Sequence, residues 1–159
     1  MSYFTETRNI ELSVIDYLTA QINASWTNIN IVKSFTNAYK TALPVVCIRL
    51  RETVNDRREI GSDTLLNDYV ITIDIFASSD GQRIDLSHFV MDKLKDGCPY
   101  YAFSQTTGSP ETLTKAESGR IHLKSFRSNH RLDFGDSEEV DQYDRFRHFI
   151  EVEMRRSAV

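Results

Sequence analysis

No stretch of this chain is apolar for long. Nothing approaches the roughly 20 consecutive apolar residues of a membrane-spanning helix, so no membrane partner is expected. Cysteine is scarce, with only Cys47 and Cys98. Each reads as a lone buried thiol, and a disulfide between them stays open. The opening MSYFTETRNIEL has no basic segment followed by an apolar stretch. The expectation is therefore synthesis and use in a reducing cytoplasm. An excess of basic residues is also missing. Lys and Arg number 19 against 23 Asp and Glu, for a formal net charge of −4. That argues against binding nucleic acid by neutralising its phosphates, but not against DNA passing an acidic surface. No G-x-S-x-G, G-x-x-x-x-G-K-[ST] or G-x-G-x-x-G occurs. Asp133-Phe134-Gly135 copies a kinase tripeptide, but the rest of that signature is lacking and the tripeptide reads as a turn.

What is present is clearest from Asp68 to Gly97. Tyr69, Ile71, Ile73 and Ile75 alternate with Val70, Thr72, Asp74 and Phe76, which is the period of a strand. Ser79 and Gln82 have capping-box spacing. Leu86, Phe89, Val90 and Leu94 follow at helical spacing, and Gly97 stands where a left-handed residue ends a helix.

Elsewhere, Thr7 to Asn23 predicts a helix with Ile10, Val14, Tyr17, Leu18 and Ile22 in one stripe, widened by Leu12 and Ile15. Such breadth fits either burial in one core or a second burial against a neighbouring subunit. A weak strand is expected over Trp26–Phe35 and a clearer one from Pro44 through PVVCIRLRE. Between that strand and Tyr69 the polar segment Thr53–Asn67 predicts a long hairpin loop. Tyr100–Phe103 and Arg120–Phe126 read as strands separated by a Ser/Thr/Gly/Pro-rich loop over Ser104–Ser118. The last strand is expected over Phe146–Arg155. The sum is one α+β domain spanning residues 1–159. It has a mainly antiparallel central sheet flanked by two helices, with a long β-hairpin loop.

Chemistry is sparse. None of His88, His122, His130 and His148 stands at metal-ligand spacing to another His or Cys. His122 and His148 lie on separate expected strands, and a sheet that pairs those strands could bring them together, though a structural role is the ordinary reading of each. Asp74 and Glu151 are the carboxylates a small metal-dependent nuclease would use. Against that, Arg147 and Arg155 flank Glu151 and Glu153 on one face, the pattern of a cross-strand ion-pair surface. No cofactor is expected, and no enzyme.

Two charged segments remain. Arg57, Arg58 and Glu59 sit on the long loop with Arg49 and Arg51 beneath it. Asp133 to Asp144 is acidic and includes Glu138, Glu139 and Asp141. For an isolated charge run the ordinary reading is a solvated loop. Opposite signs within one chain also suit a head-to-tail contact between copies.

The passage RREIGSDTLLNDYVITIDIFASSDGQRIDLSHFVMDKL resembles the tail terminator (tail completion, neck) proteins of long-tailed bacteriophages. The similarity lies in a charged loop, a strand ending in a small residue and Ser, and an arginine-bearing helix. It extends over roughly Ile10 to Leu94. The resemblance implies a structural virion protein, assembled in the host cytoplasm. It implies a homo-oligomeric ring, hexameric, that caps the tail tube and meets the head–tail connector, with genomic DNA passing through the lumen unbound. Arg57, Arg58 and Glu59 are then the expected contact with a neighbouring ring or subunit. Glu138, Glu139 and Asp141 are the expected second interface or lumen rim. A head-completion adaptor or tail-tube subunit is the alternative within the virion.

Overall fold

Thr5 opens the first helix, α1 (Glu6–Ser25), by accepting the Arg8 N–H on its side-chain oxygen at 3.4 Å. Ile10, Val14, Leu18 and Ile22 form its fully buried stripe. The computed structural model describes residues 2–57, 60–61, 65–107, 112–135 and 139–157, and of Ser2 and Arg57 the backbone alone.

Among the described residues the fold is mixed α+β. The strands are β1 (Ser2–Tyr3), β2 (Asn30–Val32), β3 (Val45–Arg57), β4 (Leu65–Phe76), β5 (Cys98–Gln105), β6 (Leu113–Leu132) and β7 (Arg147–Ser157). They form one sheet in the order β1-β5-β6-β7-β4-β3-β2. β2 runs parallel to β3, and the other pairs are antiparallel. The further helices are α2 (Phe35–Ala38), α3 (Asp80–Leu94) and α4 (Gln142–Arg145). The main core joins the stripe of α1 to Leu86, Val90 and Leu94 of α3 and to Ile71, Ile73, Ile150 and Val152 of the central strands. A smaller cluster of Ala38, Val45, Cys47 and Phe76 lies apart from it.

α1 touches both margins of the sheet. Toward β5, Asn9 Oδ1 accepts the Phe103 N–H at 3.1 Å and Ser13 Oγ accepts the Tyr101 N–H at 2.9 Å. Toward β3, Glu11 Oε2 accepts the Leu50 N–H at 2.7 Å. Four inter-strand steps separate β5 from β3. At about 4.8 Å each, a flat sheet would hold them roughly 19 Å apart, beyond the 10–12 Å width of a helix. The sheet therefore curls around α1.

α3 follows its sequence signals closely. Ser79 Oγ accepts the Gln82 N–H at 3.2 Å, and Gln82 Oε1 accepts the Ser78 N–H at 2.8 Å. Gly97 has φ +76°, and a Cβ there would stand 2.2 Å from the Ile121 carbonyl oxygen.

Several boundaries differ from expectation. Only Asn30–Val32 of the weak 26–35 segment is strand, because Asn28 at φ 60° turns the chain and Phe35 begins a helical turn. The 53–67 segment is largely ladder: Thr53 pairs with Tyr69 and the pairing runs out to Arg57 opposite Leu65. It reads as polar because this arm projects beyond the covered sheet, so its side chains meet water. The 104–118 segment likewise contains the start of β6, opposite β5, with Ser104 and Thr114 hydroxyls 2.7 Å apart. Asp74 lies on the face of β4 opposite Ile73 and Ile75, as its alternation indicates, and is nevertheless buried there, with 1% of its surface exposed. Arg147 reaches across from β7 and covers it.

Candidate functional site

One surface of the sheet carries a lattice of opposite charges. Asp68, on β4, is 2% exposed. Its Oδ1 accepts from Arg155 Nε at 2.6 Å, and its Oδ2 accepts from Arg155 Nη2 at 3.0 Å and from Lys124 Nζ at 2.7 Å. The Arg155 fork holds this carboxyl down to about pKa 2, against the opposing effect of burial. Lys124 also reaches Glu153 at 3.1 Å. Glu151 pairs with Arg51 at 2.5 Å and lies 3.6 Å from Arg127, which contacts Glu52 at 3.3 Å. Arg51 is the extra residue where the β3 register shifts between Leu50 and Glu52.

Asp74 Oδ1 accepts from Arg147 Nη2 at 3.0 Å. Among the described residues its other oxygen and the Thr72 hydroxyl have no hydrogen-bond partner. Burial outweighs Arg147 here and raises the Asp74 pKa. The cross-strand ion-pair surface read from Arg147, Glu151, Glu153 and Arg155 is thus present, and it extends over β3 and β6. It also engages the two carboxylates that a nuclease would need. Among the described residues no group of three His, Cys, Asp or Glu is placed to hold a metal ion. The register sets His122 opposite Arg155 and His148 opposite Arg131, so the two histidines do not meet.

The strand registers fix two ends of the sheet. Val45, Phe76, Arg147 and Leu132 lie in one row. Asp68, Arg155 and His122 lie in a row toward the other end, and the β3–β4 arm continues past them to Arg57 and Leu65. The acidic segment after Leu132 leaves from the first end, and the arm projects from the second. β3 has 13 residues, so the separation is about 40 Å.

The residues singled out from sequence fall as follows. Arg57 ends β3. Arg58, Glu59 and Glu138 lie outside the described residues. Glu139 is exposed in the turn before α4. Asp141 caps α4, its Oδ1 accepting the Tyr143 N–H at 2.9 Å, so it has a local structural task. Asp133 Oδ1 accepts the Gly135 N–H at 2.9 Å, which makes Asp133–Gly135 the turn expected of it. Among the described residues, the backbone of Arg57 and the residues Glu139 and Asp141 lie toward opposite ends of the sheet.

Two features were not legible beforehand. His148 is buried between Arg83, whose Nη1 is 2.7 Å from Nδ1, and Asn129, whose Oδ1 is 2.5 Å from Nε2. Arg can only donate, so Nδ1 accepts and Nε2–H donates to Asn129. Burial, helped by Arg83 and His130, pushes the His148 pKa down to about 4. The second feature is a groove of about 610 Å³ between Trp26 and α3, lined also by Ile84, Asp85, His88, Phe89 and Asp92. Trp26 looked like the start of a strand, and only the placement of α1 against α3 shows what it faces.

No protein-family model matches this chain, and no curated protein matches it.

Proposed function

We propose that this chain is a structural protein of a long-tailed phage virion. It forms a closed ring, hexameric, that caps the tail tube and joins it to the head connector, with DNA passing through the lumen. The observation that carries this reading is the arrangement of the two ends. A projecting arm whose backbone pairing runs out to Arg57 leaves one end of the sheet, with Arg58 next in sequence, and an acidic segment leaves the other. Surfaces of different kind at opposite ends suit heterologous contacts, which close into rings when the rotation permits. The sheet, with two long helices packed into its curl, serves as the rigid body between them. The resemblance of the 57–94 region to tail terminators supplies the virion context.

The alternative within the virion is a head-completion adaptor or a tail-tube subunit. The nuclease reading gains nothing from Asp74 and Glu151, since arginines already occupy both.

Sedimentation of the purified protein, followed by negative-stain imaging, tests the proposal. A ring of about six copies with a central hole is expected. Long stacks would point to a tube subunit, and a ring that binds connector but not tube would point to an adaptor. A monomer at every concentration would overturn the reading.

A further inference from the structure

A buried chain of hydrogen bonds ties the first turn of α3 to the sheet. Arg83 projects from that turn with 11% of its side chain exposed. Its Nη1 lies 2.7 Å from His148 Nδ1 on β7, and His148 Nε2 lies 2.5 Å from Asn129 Oδ1 on β6. One imidazole, itself 6% exposed, thus joins a helix to two strands. The capping bonds of the turn are local. Ser79 holds Gln82, and Asp80 Oδ1 accepts from Arg83 Nε at 2.9 Å. The buried apolar anchors of α3 begin only at Leu86, while Asp80, Gly81 and Ile84 are exposed.

The chain works in one protonation state. A guanidinium only donates, so the bond from Arg83 needs a lone pair on Nδ1. A proton there would set two donors face to face at 2.7 Å, each on a positive group. Nε2–H would still reach Asn129, so the Arg83 link is the one that breaks. The surrounding charges do not soften this conflict. α3 presents Arg83 and, behind it, Asp80, whose carboxylate is engaged by Arg83. β6 presents His130 and Arg131, and β4 places Ile75 opposite the ring. The neighbour on β7 is Arg147, which turns to Asp74. Burial, Arg83 and His130 together push the ring pKa down to about 4 from its ordinary 6.5.

We propose that His148 is a proton-operated latch on α3. Neutral, it accepts Arg83 and keeps the first turn on the sheet. Protonated, it expels the guanidinium and frees residues 79–84, while Leu86, Val90 and Leu94 stay packed in the core. The latch acts within one chain and does not depend on ring formation.

Amide hydrogen exchange followed by NMR from pH 7 to 4, corrected for intrinsic rates, tests the latch. The closed form disfavours the proton, so opening gains as pH falls below about 6.5 and levels off below about 4. The opening constant read at the Gln82 and Arg83 amides should rise about tenfold per pH unit within that window. Val90 and Leu94 should show no such rise. His148→Gln keeps an acceptor for Arg83 and a donor for Asn129 but cannot titrate, so its opening should be flat with pH. Arg83→Met should open the turn at pH 7 and move the His148 titration upward, read from its ring proton shifts. Loss of packing alone would not move that midpoint upward. Asp80→Asn removes the other titratable partner of Arg83 and should leave the pH slope in place. A flat wild-type profile, an equal slope in His148→Gln or a slope lost in Asp80→Asn would overturn the latch. So would loss of protection across all of α3 and the sheet at once.

Discussion

Ser13 Oγ meets the backbone of Tyr101 twice, accepting its N–H at 2.9 Å and donating to its carbonyl at 3.3 Å. One hydroxyl thereby does for β5 what a neighbouring strand would do. Asn9 continues the substitution at Phe103. Two polar residues on the buried side of α1 thus close a sheet margin that would otherwise be left open to other chains.

Ser13→Ala leaves both Tyr101 groups without this partner in a half-buried setting. A loss of about 1–3 kcal/mol is expected from urea unfolding, with little change in its slope. A loss under a few tenths would mean that water replaces the hydroxyl.

Gly97→Ala tests the helix stop. The position needs φ +76° and has no room for a methyl against Ile121. Both effects oppose alanine, so destabilisation of about 2–4 kcal/mol is expected. Gly81, which has open space around it and no positive φ, is the control and should tolerate alanine well.

Stability should fall in two stages as the solution is acidified. His148 titrates near 4 in the fold and near 6.5 when unfolded, so its contribution is present above pH 6.5 and is lost as pH falls toward 4. Asp68 titrates at about 2 against 3.8, so its contribution persists above 3.8 and fades toward 2. It amounts to about 1–2 kcal/mol, allowing for the exposure of Arg155 and Lys124. Asp74 has the opposite sign, because its raised pKa favours the protonated folded form in acid. Melting temperature measured against pH should lose its upper stage in His148→Gln and its lower stage in Asp68→Asn. An unchanged slope between pH 6.5 and 4 in His148→Gln would show that another group drives that stage.

Charge reversal of Arg57 and Arg58 together should abolish ring formation while leaving the far-UV spectrum and melting curve of the monomer unchanged. Assembly at wild-type concentration in that variant would remove the arm from the contact.

The elements of the buried centre were readable because burial imposes a period. Tyr69 to Ile75 and His148 to Met154 alternate as strands must, and the capping pair Ser79 and Gln82 marks a helix start with local bonds alone. The arms were not readable. Asn55–Asp56 and Thr114–Glu117 are paired through their backbones while their side chains meet water, so no apolar alternation betrays them. The alternation of Asp74 onto the outer face was readable but its burial was not, because a residue 73 positions away in sequence supplies the guanidinium that permits it. The acidic segment was seen as a charge run, whereas Asp141 proved to be a helix cap.

The closure of the sheet by α1 also sets an order of events during synthesis. α1 leaves the ribosome first, yet Tyr101, the partner of Ser13, is translated 88 residues later. At about 5–20 residues per second, the helix waits roughly 4–18 s before that margin exists to be sealed. During that interval its apolar stripe can shelter against β2, β3, β4 and α3 but not against β5, β6 or β7, and sealing depends on a contact of long sequence separation. Slowing translation between α3 and β5, or loss of a chaperone that shields nascent chains, should therefore lower the soluble yield more than the stability of the finished protein would suggest.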